Sequence, residues 1–242
     1  MRLEVPGVDK EVDSTTRWWR DRARDDMGGR YAERTAAADA GWDAIVASGA
    51  EDMGRMAPNF RHGTDLDVLE IGCGVGRLSA NLAPLFRSVL AVDIAEGVVA
   101  EAAANCRSSN IEFAVIDGVQ LLPGNDRFDV VFSAETFHHI QPPVFQQYLH
   151  DSFRLLRPRG QVALHVNVES NTALARIGQL VRRLLWLAGV SSWRGWPTHP
   201  GFRRQHYRHA DVLRMMSAAG FVDPRSVGSN DRQMMFLAEK PG

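Results

Sequence analysis

The chain has little cysteine, little net charge and no long apolar run, and each shortage excludes a class of protein. Two cysteines in 242 residues give no disulfide framework, so we expect reduced thiols in a cytoplasmic protein. The net charge of −1 offers no electrostatic basis for binding nucleic acid. The charged N-terminal residues lack the apolar core of a signal peptide, and no run is long enough for stable membrane insertion.

Apolar residues make up 45% of the chain, which is enough for one substantial core. We therefore expect a single domain with appendages. Residues 1–60 are helical in character and form a predicted cap, and residues 61–168 alternate strands with helices. An inserted helix and cap are predicted over 169–208. A helix and strands that complete the core sheet are predicted over 209–242.

The most informative stretch is LDVLEIGCGVGRL at 66–78. Its apolar residues are typical of a buried strand that ends at Ile71. Three glycines then alternate, at Gly72, Gly74 and Gly76. They permit a tight turn and let a ligand approach the backbone. A helix opening near Arg77 would offer unpaired N–H groups and a positive dipole end. Strand–glycine loop–helix units of this kind bind nucleoside-containing cofactors in α/β proteins.

The glycine spacing distinguishes between cofactors. The dinucleotide fingerprint needs a third glycine where Arg77 stands. Glu70-x-Gly72-x-Gly74-x-Gly76 instead resembles motif I of the class I (Rossmann-like) S-adenosylmethionine methyltransferases. The resemblance implies S-adenosyl-L-methionine (SAM) as cofactor, with its methionine part held by Glu70 and the loop that contains Cys73 and Arg77. A tight turn without a ligand is the alternative.

Two further strand ends extend the resemblance. Asp93 ends a strand over 88–95, where a carboxylate can accept hydrogen bonds from two ribose hydroxyls; a helix N-cap is the alternative role. Asp117 follows a strand in 111–123, and the resemblance places it on the adenine amino group, although a turn residue is the simpler interpretation. The other cofactor-binding residues that the resemblance implies are Ile94, Gly118, Val119, Ser133 and Ala134.

Strands over 127–140 and 155–166 complete the family pattern. The resemblance covers 66–168 well and 205–240 more loosely. It implies an α/β fold whose seven-stranded, mostly parallel sheet carries helices on both faces and has an antiparallel last strand.

The segment after the fourth strand, Glu135-Thr136-Phe137-His138-His139, holds the candidate catalytic base. Histidine titrates near neutrality and can take a proton from a hydroxyl acceptor. Some small-molecule O-methyltransferases of the resembling family use the first histidine of such a pair, so His138 is the first candidate and His139 the second; no base at all is the alternative. No aspartate ends the fifth strand, so Asn167 or Glu169 would have to orient the base.

Substrate contacts are predicted from the appendages. The candidates are Trp18, Trp19, Asn167, His206 and Tyr207. Simple packing is the alternative for each of them. Apolar residues recur at helical spacing in 171–190, with arginines between them. This helix is interpreted as a cap over the pocket or a homodimer interface, with a membrane-surface helix as a further alternative.

We therefore predict a SAM-dependent methyltransferase that methylates a hydroxyl of a small metabolite, such as a natural-product intermediate or a sugar-like alcohol. C- or N-methylation of a small molecule or lipid on the same fold is the alternative, and a non-catalytic SAM-binding protein is a third. Enzymes of this fold that methylate the amino groups of adenine or glutamine carry an Asn/Asp-Pro-Pro-aromatic motif after the fourth strand. This chain has Ser133-Ala134-Glu135-Thr136 there, which disfavours that chemistry. No zinc-ligand spacing appears, and Asp129 and Asp151 give little basis for a divalent-metal site, so no metal is predicted.

Overall fold

The structure is a computed structural model that describes residues 18–20, 41–168, 172–193, 196–199, 205, 207–228 and 233–242. Of the predicted N-terminal cap, only 18–20 and 41–60 fall within these ranges, and both pieces include helix. His206 and Glu169 lie outside the described residues.

Strands and helices alternate through the core. The helices are α1 Trp42–Met56, α2 Ser79–Leu82, α3 Glu96–Asn105, α4 Pro142–Leu155, α5 Thr172–Leu187 and α6 His209–Ala218. The main strands are β1 Gly63–Ile71, β2 Phe86–Asp93, β3 Ile111–Val115, β4 Phe128–Ala134, β5 Leu156–Asn167, β6 Val222–Val227 and β7 Gln233–Glu239. Short 3₁₀ turns cover Ala57–Asn59, Ala83–Leu85 and Phe137–His139, and Ser192–Trp193 pairs with Trp196–Pro197.

The seven strands form one sheet in the order β3-β2-β1-β4-β5-β7-β6. Strands β3, β2, β1, β4 and β5 pair in parallel, and β7 runs antiparallel to both of its neighbours. The predicted mostly parallel seven-stranded sheet with an antiparallel last strand is confirmed. Because the five parallel strands share a direction, their carboxyl ends meet at one edge of the sheet.

Apolar side chains cover both faces of the sheet, as the near-continuous apolar strands require. On one face, Leu69 and Val131 pack in a cluster that includes residues of α4 and α6. On the other face, Val68 and Val130 pack with Met53 of α1 and with residues of α2. Among the described residues, no helix reaches the length and apolarity that crossing a bilayer requires.

Two local features differ in detail from the sequence analysis. The helix after the glycine loop begins at Ser79, two residues after Arg77, and it has only four residues, because turns and bends occupy most of residues 72–78. A helix dipole therefore adds little at this loop. Asp93 is not a helix N-cap, since Ala95 holds that position at α3 and makes no side-chain cap.

Candidate functional site

The glycine loop leaves β1 with left-handed backbone at three glycines. Gly72, Gly74 and Gly76 have φ of +78°, +54° and +88°, a region that L-residues with a Cβ rarely adopt. A Cβ on Gly72 would lie 2.1 Å from the hydroxyl oxygen of Thr136, and one on Gly76 would lie 2.7 Å from Cys106 Sγ. The loop is therefore held tightly between the turn after β4 and the end of α3.

Asp93 joins this loop to the tip of β2. Its Oδ2 accepts a hydrogen bond from the Gly74 N–H at 3.1 Å, and its Oδ1 accepts one from the Ala95 N–H at 3.1 Å. Burial raises the pKa of the carboxyl, which these backbone hydrogen bonds oppose. Each carboxylate oxygen has a further lone pair, so the group retains the capacity to accept two hydroxyls.

Asp117 lies at the next tip, just beyond β3. Its exposed side chain accepts hydrogen bonds from the Val119 and Gln120 N–H groups through Oδ1, at 2.8 and 2.9 Å. Gly118, between them, has φ of +82°. This turn uses one of the two carboxylate oxygens, so the turn role and the predicted adenine contact are compatible.

Arg20 spans these two tips from the N-terminal segment. Its Nη2 donates to the carbonyl oxygen of Asp117 at 2.6 Å, and its Nε donates to that of Ile94 at 3.4 Å. Sequence reasoning missed Arg20, because the contact joins positions 97 and 74 residues apart. The resemblance places the nucleoside at these same two tips.

The side chains of three predicted cofactor-binding residues are buried or paired within the protein. Glu70 is buried and accepts a hydrogen bond from the Ser79 hydroxyl at 2.5 Å, and burial raises its pKa to about 7. The Arg77 guanidinium pairs with Asp52 of α1 at 2.8 Å. Cys73 is buried, and this burial raises the pKa of its thiol. These side chains support the loop, so its backbone is the part that remains for a ligand.

Hydrogen bonds tie the tip of β4 to the glycine loop. The Ser133 hydroxyl donates to the carbonyl oxygen of Ile71 at 2.7 Å. The Thr136 hydroxyl donates to those of Ala134 at 3.1 Å and Gly72 at 3.4 Å. Ser133 and Ala134 therefore lie beside the loop, as the predicted site requires.

A cluster of polar side chains follows directly, which we call the Glu135 cluster: Glu135, His138, His165 and Asn167. The carboxylate of Glu135 lies 3.1 Å from His165 Nδ1 and 3.7 Å from His138 Nε2. The Asn167 amide donates to it at 3.5 Å. Glu135 has φ of +58°, which is unusual for a non-glycine residue and concentrates at functional sites.

The acidic side chain of the cluster lies at a place that the sequence analysis did not consider. We expected a polar partner for His138 at the end of β5, whereas the carboxylate nearest His138 belongs to Glu135, in the turn after β4 and three residues before His138. The spacing within Glu135-Thr136-Phe137-His138 was the available signal, since one turn places these side chains together. His165 was missed because only the parallel pairing of Ala134 with His165 brings the two strands' residues side by side.

Aromatic rings connect the appendages to this turn. Trp19 lies against His139 with ring centroids 5.0 Å apart, and it meets Trp18 edge-on at 4.7 Å. The ring centroid of His199 lies 6.0 Å from that of Trp18 and 4.6 Å from that of Trp186 in α5. The N-terminal segment, the end of α5 and the histidine pair thus come together.

Tyr207 has a different environment from the other predicted substrate residues. It is buried, packs on Phe145, and donates its hydroxyl to the carbonyl oxygen of Ile140 at 2.6 Å. Burial raises the pKa of this phenol. The geometry favours the packing interpretation. Its neighbour Gln205 donates its backbone N–H to the carbonyl oxygen of His138 at 2.7 Å.

Comparison with known proteins finds similarity to methyltransferases. A family model described as a methyltransferase domain matches residues 68–160, from β1 into β5. The chain is 31% identical over 157 residues to the ubiquinone biosynthesis O-methyltransferase of Ruegeria pomeroyi, and the match covers 62% of each chain. It is 32% identical over 102 residues to phosphoethanolamine N-methyltransferase 1 of Triticum aestivum, covering 40% of this chain and 20% of that one.

The fold also has solved structural neighbours. Phosphoethanolamine N-methyltransferase 1 of Haemonchus contortus, solved with phosphoethanolamine and S-adenosylhomocysteine, aligns with a TM-score of 0.63 at 19% identity. The alignment covers 96% of this chain and 49% of that one. At this identity the likeness shows the fold. In the described parts of the chain, no group of three or more histidine, cysteine or acidic side chains is arranged to hold a metal ion.

Proposed function

We propose that this protein is a SAM-dependent methyltransferase that methylates a hydroxyl group of a small molecule. The observation that carries the proposal is the convergence of three strand tips. Gly74 is hydrogen-bonded to Asp93, and Arg20 bridges the backbone beside Asp93 to that of Asp117. A left-handed glycine loop flanked by two carboxylates suits a nucleoside with a short zwitterionic tail.

The residues fit the parts of this cofactor. The backbone from Gly72 to Gly76 and the tip at Ser133 and Ala134 would hold the methionine part. Asp93 would accept the ribose hydroxyls, and Asp117 the adenine amino group, with Ile94, Gly118 and Val119 around the ring. The bound sulfonium supplies a methyl group that is already electrophilic. The chain therefore contributes alignment of the acceptor and exclusion of water.

A hydroxyl acceptor must also lose its proton, and a positioned base accelerates this step. The Glu135 cluster supplies such a group at the carboxyl ends of β4 and β5, next to the glycine loop. The similarity to an O-methyltransferase supports a hydroxyl acceptor. We propose a small metabolite as substrate, and the predicted homodimer and cytoplasmic location belong to the same proposal.

Binding of SAM by the purified protein, measured by titration calorimetry, tests the cofactor site. Asp93→Ala should weaken binding at least tenfold, because it removes the ribose acceptor and the hydrogen bond to the Gly74 N–H. Asp93→Asn, which keeps one acceptor oxygen, should weaken it less. Asp65→Ala, an exposed carboxylate near the start of β1, is the matched control and should bind as the wild type. Equal affinity of Asp93→Ala and the wild type would contradict the proposed site.

Isotope transfer from the cofactor identifies the acceptor directly. Incubation of a cell extract with methyl-labelled SAM and the protein should place the label on an oxygen of a small metabolite. Mass spectrometry of the labelled product identifies the bond. SAM binding without S-adenosylhomocysteine release from any extract would indicate a non-catalytic binding protein.

N-methylation is the second candidate. The similarity to phosphoethanolamine N-methyltransferase 1 of Triticum aestivum favours it. A labelled amine or ammonium product in the extract experiment would establish N-methylation and would contradict the proposed hydroxyl acceptor.

A further inference from the structure

We propose that Glu135, rather than His138 or His139, touches the acceptor hydroxyl and takes its proton. This inference rests on the proposed function and deepens it. A base must reach the substrate, and the members of the Glu135 cluster differ in this respect. The His138 side chain is completely enclosed, whereas 25% of the Glu135 side chain is exposed.

The position of Glu135 supports this role. It directly follows Ala134 at the tip of β4 and precedes Thr136, whose side chain would occupy the space of any Cβ on Gly72. The carboxylate therefore stands at the junction of the glycine loop and the tip of β5. The proposed site for the methionine part of the cofactor lies at the same junction.

The backbone of Glu135 points to function as well. A glutamate at φ of +58° is held in a conformation that is unfavourable for a residue with a Cβ. Glycine or asparagine would be the usual residue there. Strained backbone of this kind is enriched at active sites.

The other members of the cluster are positioning residues. His165 Nδ1, His138 Nε2 and the Asn167 amide face the carboxylate from β5 and from the turn itself, at 3.1, 3.7 and 3.5 Å. The Asn167 amide donates a hydrogen bond to the carboxylate, and the two imidazole rings lie beside it, so these side chains restrict its direction. His139, the remaining candidate, packs its ring against Trp19.

Methyl transfer and proton transfer occur on the same acceptor oxygen in the proposed step. The acceptor oxygen forms its new bond to the methyl carbon, and the sulfur keeps the electron pair of the bond that breaks. The hydroxyl proton passes to the Glu135 carboxylate, which becomes a neutral carboxylic acid and later releases the proton to solvent. The products are the methyl ether and neutral S-adenosylhomocysteine.

The test compares Glu135→Gln, Glu135→Asp and Glu135→Gly with His138→Gln and His139→Gln. The probe is methyl-labelled SAM with cell extract as the acceptor source, and the initial rate of label transfer is measured. Glu135→Gln should lower the rate 100-fold or more. Glu135→Asp should recover part of the rate, whereas His138→Gln should lose less than Glu135→Gln. Glu112→Gln, on the exposed side of β3, is the matched control.

Two readouts do not depend on turnover. The affinity for SAM, measured by calorimetry, should change less than threefold in Glu135→Gln. Glu135→Gly relieves the left-handed strain, so its Tm should equal or exceed that of the wild type while its transfer rate is lost. This combination is not expected of a residue that serves the fold alone.

The outcomes separate the two proposals. If the wild-type protein neither binds SAM nor transfers label, the proposed function is wrong, and this inference is wrong with it. If the wild type transfers label and Glu135→Gln keeps half of the rate, only this inference is overturned. Abolition of transfer in His138→Gln or His139→Gln, with Glu135→Gly active, overturns it in the same way.

Discussion

At Gly72 the chain passes so close to the turn after β4 that no side chain fits. A Cβ there would meet three side-chain atoms of Thr136 within 2.8 Å. Gly178, inside α5, has nothing within 4 Å of its Cβ position. The two glycines therefore respond to the same substitution in opposite directions.

Gly72→Ala should lower the free energy of unfolding by about 2–4 kcal/mol, from left-handed strain and overpacking together. Gly178→Ala should raise it by up to about 1 kcal/mol, because alanine favours helix. Urea denaturation of both variants measures these changes. A Gly72→Ala protein as stable as the wild type would show that the loop is not held against Thr136.

Glu70 links stability to pH. Burial raises its pKa from 4.5 to about 7, so the folded protein favours the protonated form. The contribution of Glu70 to the free energy of unfolding is complete below pH 4.5 and is lost as the pH rises through 7. The shift corresponds to about 3 kcal/mol.

Glu70→Gln should therefore flatten the dependence of stability on pH between 4.5 and 7. Asp93, whose pKa burial also raises, is unchanged in this variant, so the difference from the wild type isolates Glu70. Urea midpoints at pH 5 and pH 8 measure the effect, with Glu112→Gln as the exposed control. Parallel pH curves for Glu70→Gln and the wild type would refute a raised pKa.

Among the elements, α5 is distinguished by its exposed apolar stripe. Ile177, Leu180, Leu184 and Leu187 recur at helical spacing, with 58–73% of each residue's surface exposed. A helix that covers the pocket would bury such a stripe in a single chain. The exposure favours the predicted homodimer interface over the predicted cap for this face of the helix.

If α5 forms that interface, Leu184→Glu should convert a dimer to a monomer, because a charge would be buried against apolar residues. Light scattering after size exclusion measures the mass. Arg183→Gln, the adjacent exposed position, should leave the mass unchanged. A monomeric wild type, or a dimeric Leu184→Glu, would contradict the predicted interface.

Across the whole molecule, distant segments meet over the strand tips. The N-terminal residues 18–20 contact the tips of β2 and β3 through Arg20, and they contact the histidine pair through Trp19. The segment thus lies across both the proposed nucleoside site and the turn that holds Glu135 and the histidine pair. Its docking and cofactor binding are expected to depend on each other.

Arg20→Ala should therefore speed the dissociation of SAM by about 3–10-fold, since the loss of a charge-assisted hydrogen bond costs about 1 kcal/mol or more. Arg20→Lys keeps the charge but cannot bridge two carbonyl groups as a planar fork does, so it should recover only part of the effect. Stopped-flow release of SAM measures both variants. Unchanged release from Arg20→Ala would show that this contact does not restrain the cofactor.

Much of the fold was predictable because its signals are local. Apolar runs marked each parallel strand, and Gly72 and Asp93 stand at the strand ends where the resemblance placed them. The short length of the helix at Ser79 was not predicted, because turn geometry after three glycines depends on packing against Thr136 and Cys106. The site residues named from sequence remain a prediction as SAM ligands.

The sequence by itself determined the order of strands and helices and the residues at the strand ends, since these follow from periodicity and backbone freedom along a few neighbouring residues. Only the tertiary structure decided that Glu135 stands between His138 and His165, that Arg77 pairs with Asp52, and that Arg20 bridges two tips. The contacts of Glu135 with His165, of Arg77 with Asp52 and of Arg20 with the two tips join residues that are distant along the chain. The spacing of residues in the sequence does not encode which strand ends become neighbours.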